Sequence, residues 1–148
     1  MEYSILILTH ILAASIWTGG HLILAIAIVP GALKRKDVQV IQKFEESYEK
    51  IGIPALIIQI LTGLRLSYLF LPEISDWFGF HSRVSTHITL KFILLSVTLL
   101  LAIHARLRLV PKLNQNNLRM LTMHILAVTV IAVLFVVVGV SIRVGGFF

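Results

Sequence analysis

Apolar residues are gathered into four long runs, and polar residues are concentrated in the stretches between them. The runs cover residues 4–30, 51–71, 84–110 and 118–142. Each has at least about 20 residues, the length that an α-helix needs to cross a hydrocarbon core of about 30 Å. An open β-sheet is excluded, because lipid cannot satisfy the backbone groups along its edges. The pattern predicts an all-α integral membrane protein, in which residues 1–148 form one membrane domain, an antiparallel four-helix bundle.

The three connectors between the runs differ in character. Residues 32–50 carry five lysine and arginine side chains, and their apolar residues recur every three or four positions. This periodicity is typical of an amphipathic helix on the membrane surface, and an extension of the second helix would show it too. Residues 72–83 contain several aromatic side chains, as interfacial loops do. Residues 106–119 add four more basic side chains.

Composition excludes several classes of protein. The chain is 57% hydrophobic and 14% charged, whereas a soluble domain is about 25% charged, so a soluble enzyme is excluded. The absence of cysteine excludes disulfides and cysteine-ligated iron–sulfur clusters. The net charge of +6 could indicate a nucleic-acid partner, but nine of the thirteen lysines and arginines lie in the first and third connectors. That distribution is typical of cytoplasmic loops, so we predict no nucleic-acid partner.

The same distribution predicts an orientation in the membrane. The first and third connectors share one side of a four-helix chain, and the opposite side carries only Arg83 and Arg143. Because lysine and arginine accumulate in cytoplasmic loops, we expect both connectors in the cytoplasm and both termini outside. The expected location is a bacterial-type inner (cytoplasmic) membrane, crossed several times, with the lipid bilayer as the surrounding partner.

Away from the ends of the runs, seven basic or histidine side chains lie among the apolar residues, and the runs contain no Asp or Glu. They are His10, His21, Arg65, His87, Lys91, His104 and His124. Such groups are costly in lipid and mark candidate functional sites. Arg65 and Lys91 have no acidic partner within the runs, and a bound porphyrin with two propionates would supply one. The alternative is that both side chains extend to the outer surface.

The depths of the histidines predict haem ligation. His10 and His87 fall in the outer half of the bilayer, whereas His21, His104 and His124 fall in the inner half. His10 and His21 are about three helical turns apart, so they share one face of the first helix. Two histidines near opposite surfaces are typical of b-type haem proteins, so we predict one or two haem b groups. His10 would pair with His87 in the outer half, and His21 with His124 or His104 in the inner half.

A copper site would use some of the same residues. His21, His104 and His124 have similar depths on three helices, and Met120 precedes His124 by one turn. Imidazole binds both oxidation states of copper, and a thioether favours Cu(I). Copper binding or transport is therefore the alternative to haem binding.

Short motifs resemble a known family. The first helix contains Thr9-His10-Ile11 and Trp17-Thr18-Gly19-Gly20, and later segments read Phe44-Glu45-Glu46-Ser47-Tyr48, Pro54-Ala55 and Leu61-Thr62-Gly63. These residues resemble the copper-resistance protein D (CopD) superfamily, which includes the HemJ-like protoporphyrinogen oxidases. The resemblance covers about the first three helices. It implies a small membrane protein that binds haem b or handles copper, with His10 and Lys91 tied to haem binding and porphyrinogen oxidation. His21 and His124 are not part of the HemJ pattern, which favours a relative with more metal ligands.

The sequence favours a haem b protein that passes electrons to or from a quinone or a periplasmic redox partner. Three alternatives stay open: a copper-binding protein of the CopD type, a HemJ-like oxidase, and a structural subunit whose histidines are interfacial. Lys91 is the candidate catalytic residue if the protein is an oxidoreductase. Gly63 and Gly139 would allow two copies to pair as a homodimer.

Overall fold

Four long helices dominate the computed structural model, which describes residues 1–146. All four are long and apolar enough to cross a membrane. They are Glu2–Arg35, Val38–Phe70, Arg83–Lys112 and Leu118–Val144, called spans 1 to 4 below. The described residues contain no β-strand. The predicted all-α four-helix membrane bundle is therefore confirmed.

Spans 1 and 3 share an irregularity that the sequence analysis did not predict. Span 1 consists of an α-helix Glu2–Ile23, a π-helix Leu24–Ile28 and an α-helix Val29–Arg35. Span 3 consists of an α-helix Arg83–His104, a π-helix Ala105–Leu109 and a 3-10 turn Val110–Lys112. Val-Pro follows the π-helix in each case. Proline cannot donate to the carbonyl four residues earlier and crowds it, so the turn before it widens.

For residues 38–50, the structure shows the second of the two predicted alternatives, an extension of the second helix. Residues 38–50 are not a separate surface helix, because they form the first turns of span 2, an unbroken helix Val38–Phe70. The chain reverses at Lys36, which has a left-handed backbone with φ 53°. Asp37 then caps span 2 by accepting a hydrogen bond from the backbone N–H of Gln39 at 3.0 Å. The charged side chains of this segment indicate exposure to water, but the segment contains no proline that would break the helix.

The end of the bundle that carries the first and third connectors, called the connector end, holds the main apolar core. The buried residues of this core are Leu24, Ala25, Val29, Ala32, Ile41, Leu109, Leu118, Leu121 and Ile125. They come from all four spans, so the first and third connectors lie at the same end of the molecule. An ion pair between Arg106 and Glu49 joins span 3 to span 2 near this end.

The packing of the four spans is uneven. Span 2 packs along span 1, span 1 contacts span 4, and span 4 packs along span 3. Spans 2 and 3 make almost no direct contact. An apolar cavity lies between them, in the half of the bundle away from the first and third connectors.

Candidate functional site

His10 lines this cavity and is held by span 2. Its Nδ1 lies 2.9 Å from the hydroxyl oxygen of Thr62. The Thr62 hydroxyl donates to the carbonyl of Ile58 at 2.7 Å, so its oxygen accepts from His10 and the imidazole proton lies on Nδ1. This bond leaves Nε2 uncommitted. Gly63 provides the space for the ring, because a Cβ there would lie 3.3 Å from Cε1 of His10.

Lys91 reaches the same cavity from span 3. Its Nζ lies against span 4, where a Cβ on Gly139 would be 3.9 Å away. Within residues 1–146 no hydrogen bond or ion pair engages this amine. Lys91 and His10 both line this cavity. The side-chain oxygen of Gln59 is also buried without a hydrogen-bond partner in this lining.

The cavity has a volume of about 660 Å³ and is lined mainly by apolar side chains from all four spans. That volume lies within the roughly 300–1,000 Å³ typical of small-molecule sites. None of the described residues lining it is acidic.

His87 does not join His10 in the cavity. It is only 1% exposed, and its Nδ1 lies 2.6 Å from the carbonyl of Arg83. A carbonyl can only accept, so Nδ1 carries the proton and Nε2 accepts from the Ser141 hydroxyl at 2.9 Å. Both ring nitrogens are thus occupied: Nδ1 bonds within span 3, and Nε2 ties span 3 to span 4. The predicted His10–His87 ligand pair is not assembled in this structure.

His104 and His124 lie side by side at the other end of the bundle. Nδ1 of His104 is 2.9 Å from Nε2 of His124, and the ring planes differ by 20° with centroids 4.9 Å apart. The rings therefore meet edge to edge. The other nitrogen of His124 donates to the backbone carbonyl of Met120 at 3.0 Å, so Nε2 of His124 is the unprotonated nitrogen. His104 is exposed and His124 is half-buried, so the pair faces outward from the bundle.

His21 lies apart from that pair, inside an aromatic cluster. Its ring packs edge-on against Trp17 at 4.5 Å and Tyr48 at 5.8 Å between centroids. Neither ring nitrogen has a hydrogen-bond partner among residues 1–146, although both are buried. The Tyr48 hydroxyl donates to the carbonyls of Ile16 and Trp17, which anchors span 2 on span 1.

The predicted three-histidine inner site is not assembled. Among residues 1–146 no three His, Cys, Asp or Glu side chains converge to hold a metal ion. The structure brings together His104 and His124 but leaves His21 with its aromatic neighbours. Histidines at the same depth therefore do not all point toward one another, because the direction of each side chain also depends on the rotation of its helix about its axis.

Arg65 has an acidic partner that lies outside the apolar runs, at the N-terminal end of span 1. Its guanidinium contacts Glu2 Oε1 at 2.7 Å through Nη2 and at 2.8 Å through Nε. The apolar run was counted from residue 4, but span 1 begins two residues earlier, at Glu2. This exposed pair makes a propionate unnecessary as counter-ion for Arg65, and Lys91 is the remaining candidate for an anionic ligand.

Three residues of these sites were not singled out from the sequence as site residues: Thr62, Gln59 and Tyr48. Thr62 and Gln59 are the polar members of an otherwise apolar stretch of span 2, which is a usable signal. Tyr48 appeared only as the last residue of the motif at residues 44–48 that carries the family resemblance, with no role assigned to its side chain.

Comparison with known families agrees with this architecture. The family model described as copper resistance protein D matches residues 42–142, which covers spans 2 to 4 and more than half of the chain. The chain is therefore a multi-pass membrane protein that belongs to the copper resistance protein D family. No curated protein and no solved structure matches it.

Proposed function

We propose that this protein binds copper ions as cargo, at a site formed by His104 and His124 near the connector end of the bundle. The observation that carries the proposal is the 2.9 Å approach of the two imidazole nitrogens. Membership of the copper resistance protein D family supports it independently. Copper is the favoured ion because it heads the affinity order of divalent first-row metals at nitrogen ligands.

The hydrogen bond from His124 to the Met120 carbonyl suits this role. Metal-binding histidines usually donate their second N–H to a carbonyl or carboxylate, which fixes the tautomer and orients the ring. Here that bond leaves Nε2 of His124 with its lone pair directed at His104. Copper would take the place of the proton between the two rings, and that proton would move to Nε2 of His104, so that both rings bind as neutral imidazoles.

The spacing is close to what coordination needs. Metal–imidazole bonds are about 2.0 Å long, so two ligand nitrogens lie about 3.3 Å apart in tetrahedral geometry and about 4 Å apart in linear geometry. From 2.9 Å, the rings need to separate by roughly 1 Å at most. Side chains on an outward face can move this far by changing rotamer.

Met120 is the third ligand that we propose. It precedes His124 by one turn on the same helix face, and it is 47% exposed. The chain contains no cysteine, so thioether sulfur is the only soft donor available for Cu(I). Two imidazoles and one thioether would bind Cu(I) in preference to zinc.

Metal binding by the purified protein in detergent tests the proposal. The His104→Ala and His124→Ala variants should each lose most of the bound copper. His81→Ala is the matched control, because His81 is an exposed histidine in the opposite connector. Equal copper retention by all three variants would refute the site.

Haem b binding is the second candidate, and one observation favours it: His10 presents an uncommitted Nε2 beside an apolar cavity. The described residues bring one histidine to this cavity, so His10 would hold the iron and Lys91 would face a propionate. Such a haem would supply one-electron redox chemistry, and a quinone or periplasmic partner would then exchange the electron. The optical spectrum of the purified protein tests it, because a haem spectrum that disappears in His10→Ala is required.

We infer that the protein lies in the cytoplasmic membrane with its first and third connectors inside, because these connectors hold nine of the thirteen lysines and arginines. Residues 1–148 would then act as one membrane domain.

A further inference from the structure

The cavity between spans 2 and 3 has an unusual balance of polar groups. Its walls are apolar, yet they include Lys91 and Arg143 and no acidic residue. Among the described residues, the carboxylate of Glu2 lies near this end of the bundle, but it forms an ion pair with Arg65. A cation in a low-dielectric site without a counter-ion is costly, so the lining is complementary to a ligand that brings an acidic oxygen.

The two halves of the bundle contribute equivalent residues to this cavity. His10 lies twenty residues before Pro30 in span 1, and Lys91 lies twenty residues before Pro111 in span 3. Each faces a glycine of the following span, Gly63 and Gly139 respectively. In each half, a basic side chain therefore lies against a glycine, and both basic side chains line the same cavity. This arrangement makes the cavity the shared centre of the two halves.

The hydrogen-bonding capacities of the two bases are complementary to one functional group. His10 Nε2 is an acceptor, because the imidazole proton is on Nδ1 and bound to Thr62. Lys91 Nζ is a donor. A carboxylic acid offers one O–H donor and one carbonyl acceptor on adjacent oxygens, which matches this pair.

We propose that the cavity binds a long-chain carboxylic acid taken from the bilayer. The carboxyl group would lie between His10 and Lys91, and the chain would lie along the apolar walls and leave between spans 2 and 3. The proton can stay on oxygen and be donated in a hydrogen bond to Nε2 of His10, or it can pass from oxygen to that nitrogen. The total charge that enters the cavity is zero in each case.

The depth of the bases favours this acid over a phospholipid headgroup. Lys91 lies eight residues into span 3, about 12 Å along the helix from Arg83. A carboxylic acid can move to that depth uncharged, whereas a phosphodiester stays ionised and would have to bring its full charge into the hydrocarbon layer.

Competition for a photoreactive long-chain fatty acid tests the proposal on the wild-type protein in detergent micelles. Crosslinks should fall on peptides of the cavity lining. The unlabelled acid should displace the probe, whereas the alcohol of equal chain length and phosphatidylglycerol should compete at least about tenfold more weakly, since each lacks the neutral acid group. Equal competition by the alcohol or by phosphatidylglycerol would overturn the proposal.

Two variants test the role of the named residues. Lys91→Gln should weaken probe binding about tenfold or more, because a hydrogen bond to a charged group is lost. Gly139→Leu should block the probe while keeping the amine. Lys50→Gln, on the exposed connector end, is the matched control and should bind as wild type. Unchanged binding in Lys91→Gln would contradict the proposal, and so would a haem that occupies the cavity of the purified protein. If a variant fails to fold, the competition experiment on the wild-type protein decides.

Discussion

Nδ1 of His104 and Nε2 of His124 approach to 2.9 Å although the residues belong to different spans, and this contact lies on an outward face of the bundle. A second hydrogen bond, from His124 to the Met120 carbonyl, sets which nitrogen is free of its proton. Two imidazoles already in contact lose little conformational freedom when a metal joins them.

Met120→Leu should weaken Cu(I) binding with little effect on Cu(II), because the thioether is the soft ligand of the set. Leucine keeps the size and helix propensity of methionine. Met123→Leu is the control, since Met123 is an exposed methionine one residue before His124 and on another helix face. Competition with a Cu(I) chelator measures both. A loss of affinity that is equal in the two variants would remove Met120 from the site.

Ser141→Ala should destabilise the protein by about 1–3 kcal/mol, because it removes the hydroxyl that donates to buried His87. Ser96→Ala is the matched control: Ser96 is exposed and bonds only to the Phe92 carbonyl of its own helix. Unfolding in detergent with increasing denaturant measures the difference. Equal midpoints for the two variants would show that the bond from His87 to span 4 contributes little.

Gly20→Ala should be strongly destabilising, whereas Gly19→Ala should be tolerated. A Cβ on Gly20 would lie 2.1 Å from Cε2 of Tyr48, and Tyr48 is held there by its bond to the Trp17 carbonyl. A Cβ on Gly19 would meet nothing within 4 Å. The yield of monodisperse protein and its thermal unfolding report the contrast. A Gly20→Ala protein as stable as Gly19→Ala would mean that spans 1 and 2 do not pack as described.

A reporter that is active only outside the cytoplasm should be active when fused at the C-terminus. The reason is that the nine basic residues of the first and third connectors favour the cytoplasmic side. The same reporter inserted at Asn116, in the third connector, should be inactive. The reverse pattern would invert the orientation and place the His104–His124 pair near the outer surface.

The number of spans was predictable because each apolar run is long enough to have only one use in a bilayer. The start of span 2 was left open between a surface helix and an extension of the second helix, since the charges between Val38 and Lys50 indicate exposure to water and do not indicate where a helix begins. The π-helices before Pro30 and Pro111 depend on how each span absorbs a proline, which sequence periodicity does not show.

The candidate site was predictable in depth but not in direction. Rise per residue correctly suggested that His104 and His124 share a level, and the structure adds that spans 3 and 4 turn them toward each other. His21 has a similar depth, but its face of span 1 packs against Trp17 and Tyr48. His87 was predicted as a ligand, although its bond to Ser141 depends on a pairing of spans that no local pattern contains.

X-ray absorption spectroscopy of the Cu(I)-loaded protein tests the central claim most directly. The account predicts two imidazole nitrogens at about 2.0 Å and one sulfur in the first coordination sphere. The sulfur contribution should disappear in Met120→Leu, and the imidazole contribution should disappear in the His104→Ala, His124→Ala double variant. A wild-type spectrum with no imidazole ligands, or one that the double substitution leaves unchanged, would contradict copper binding at this pair.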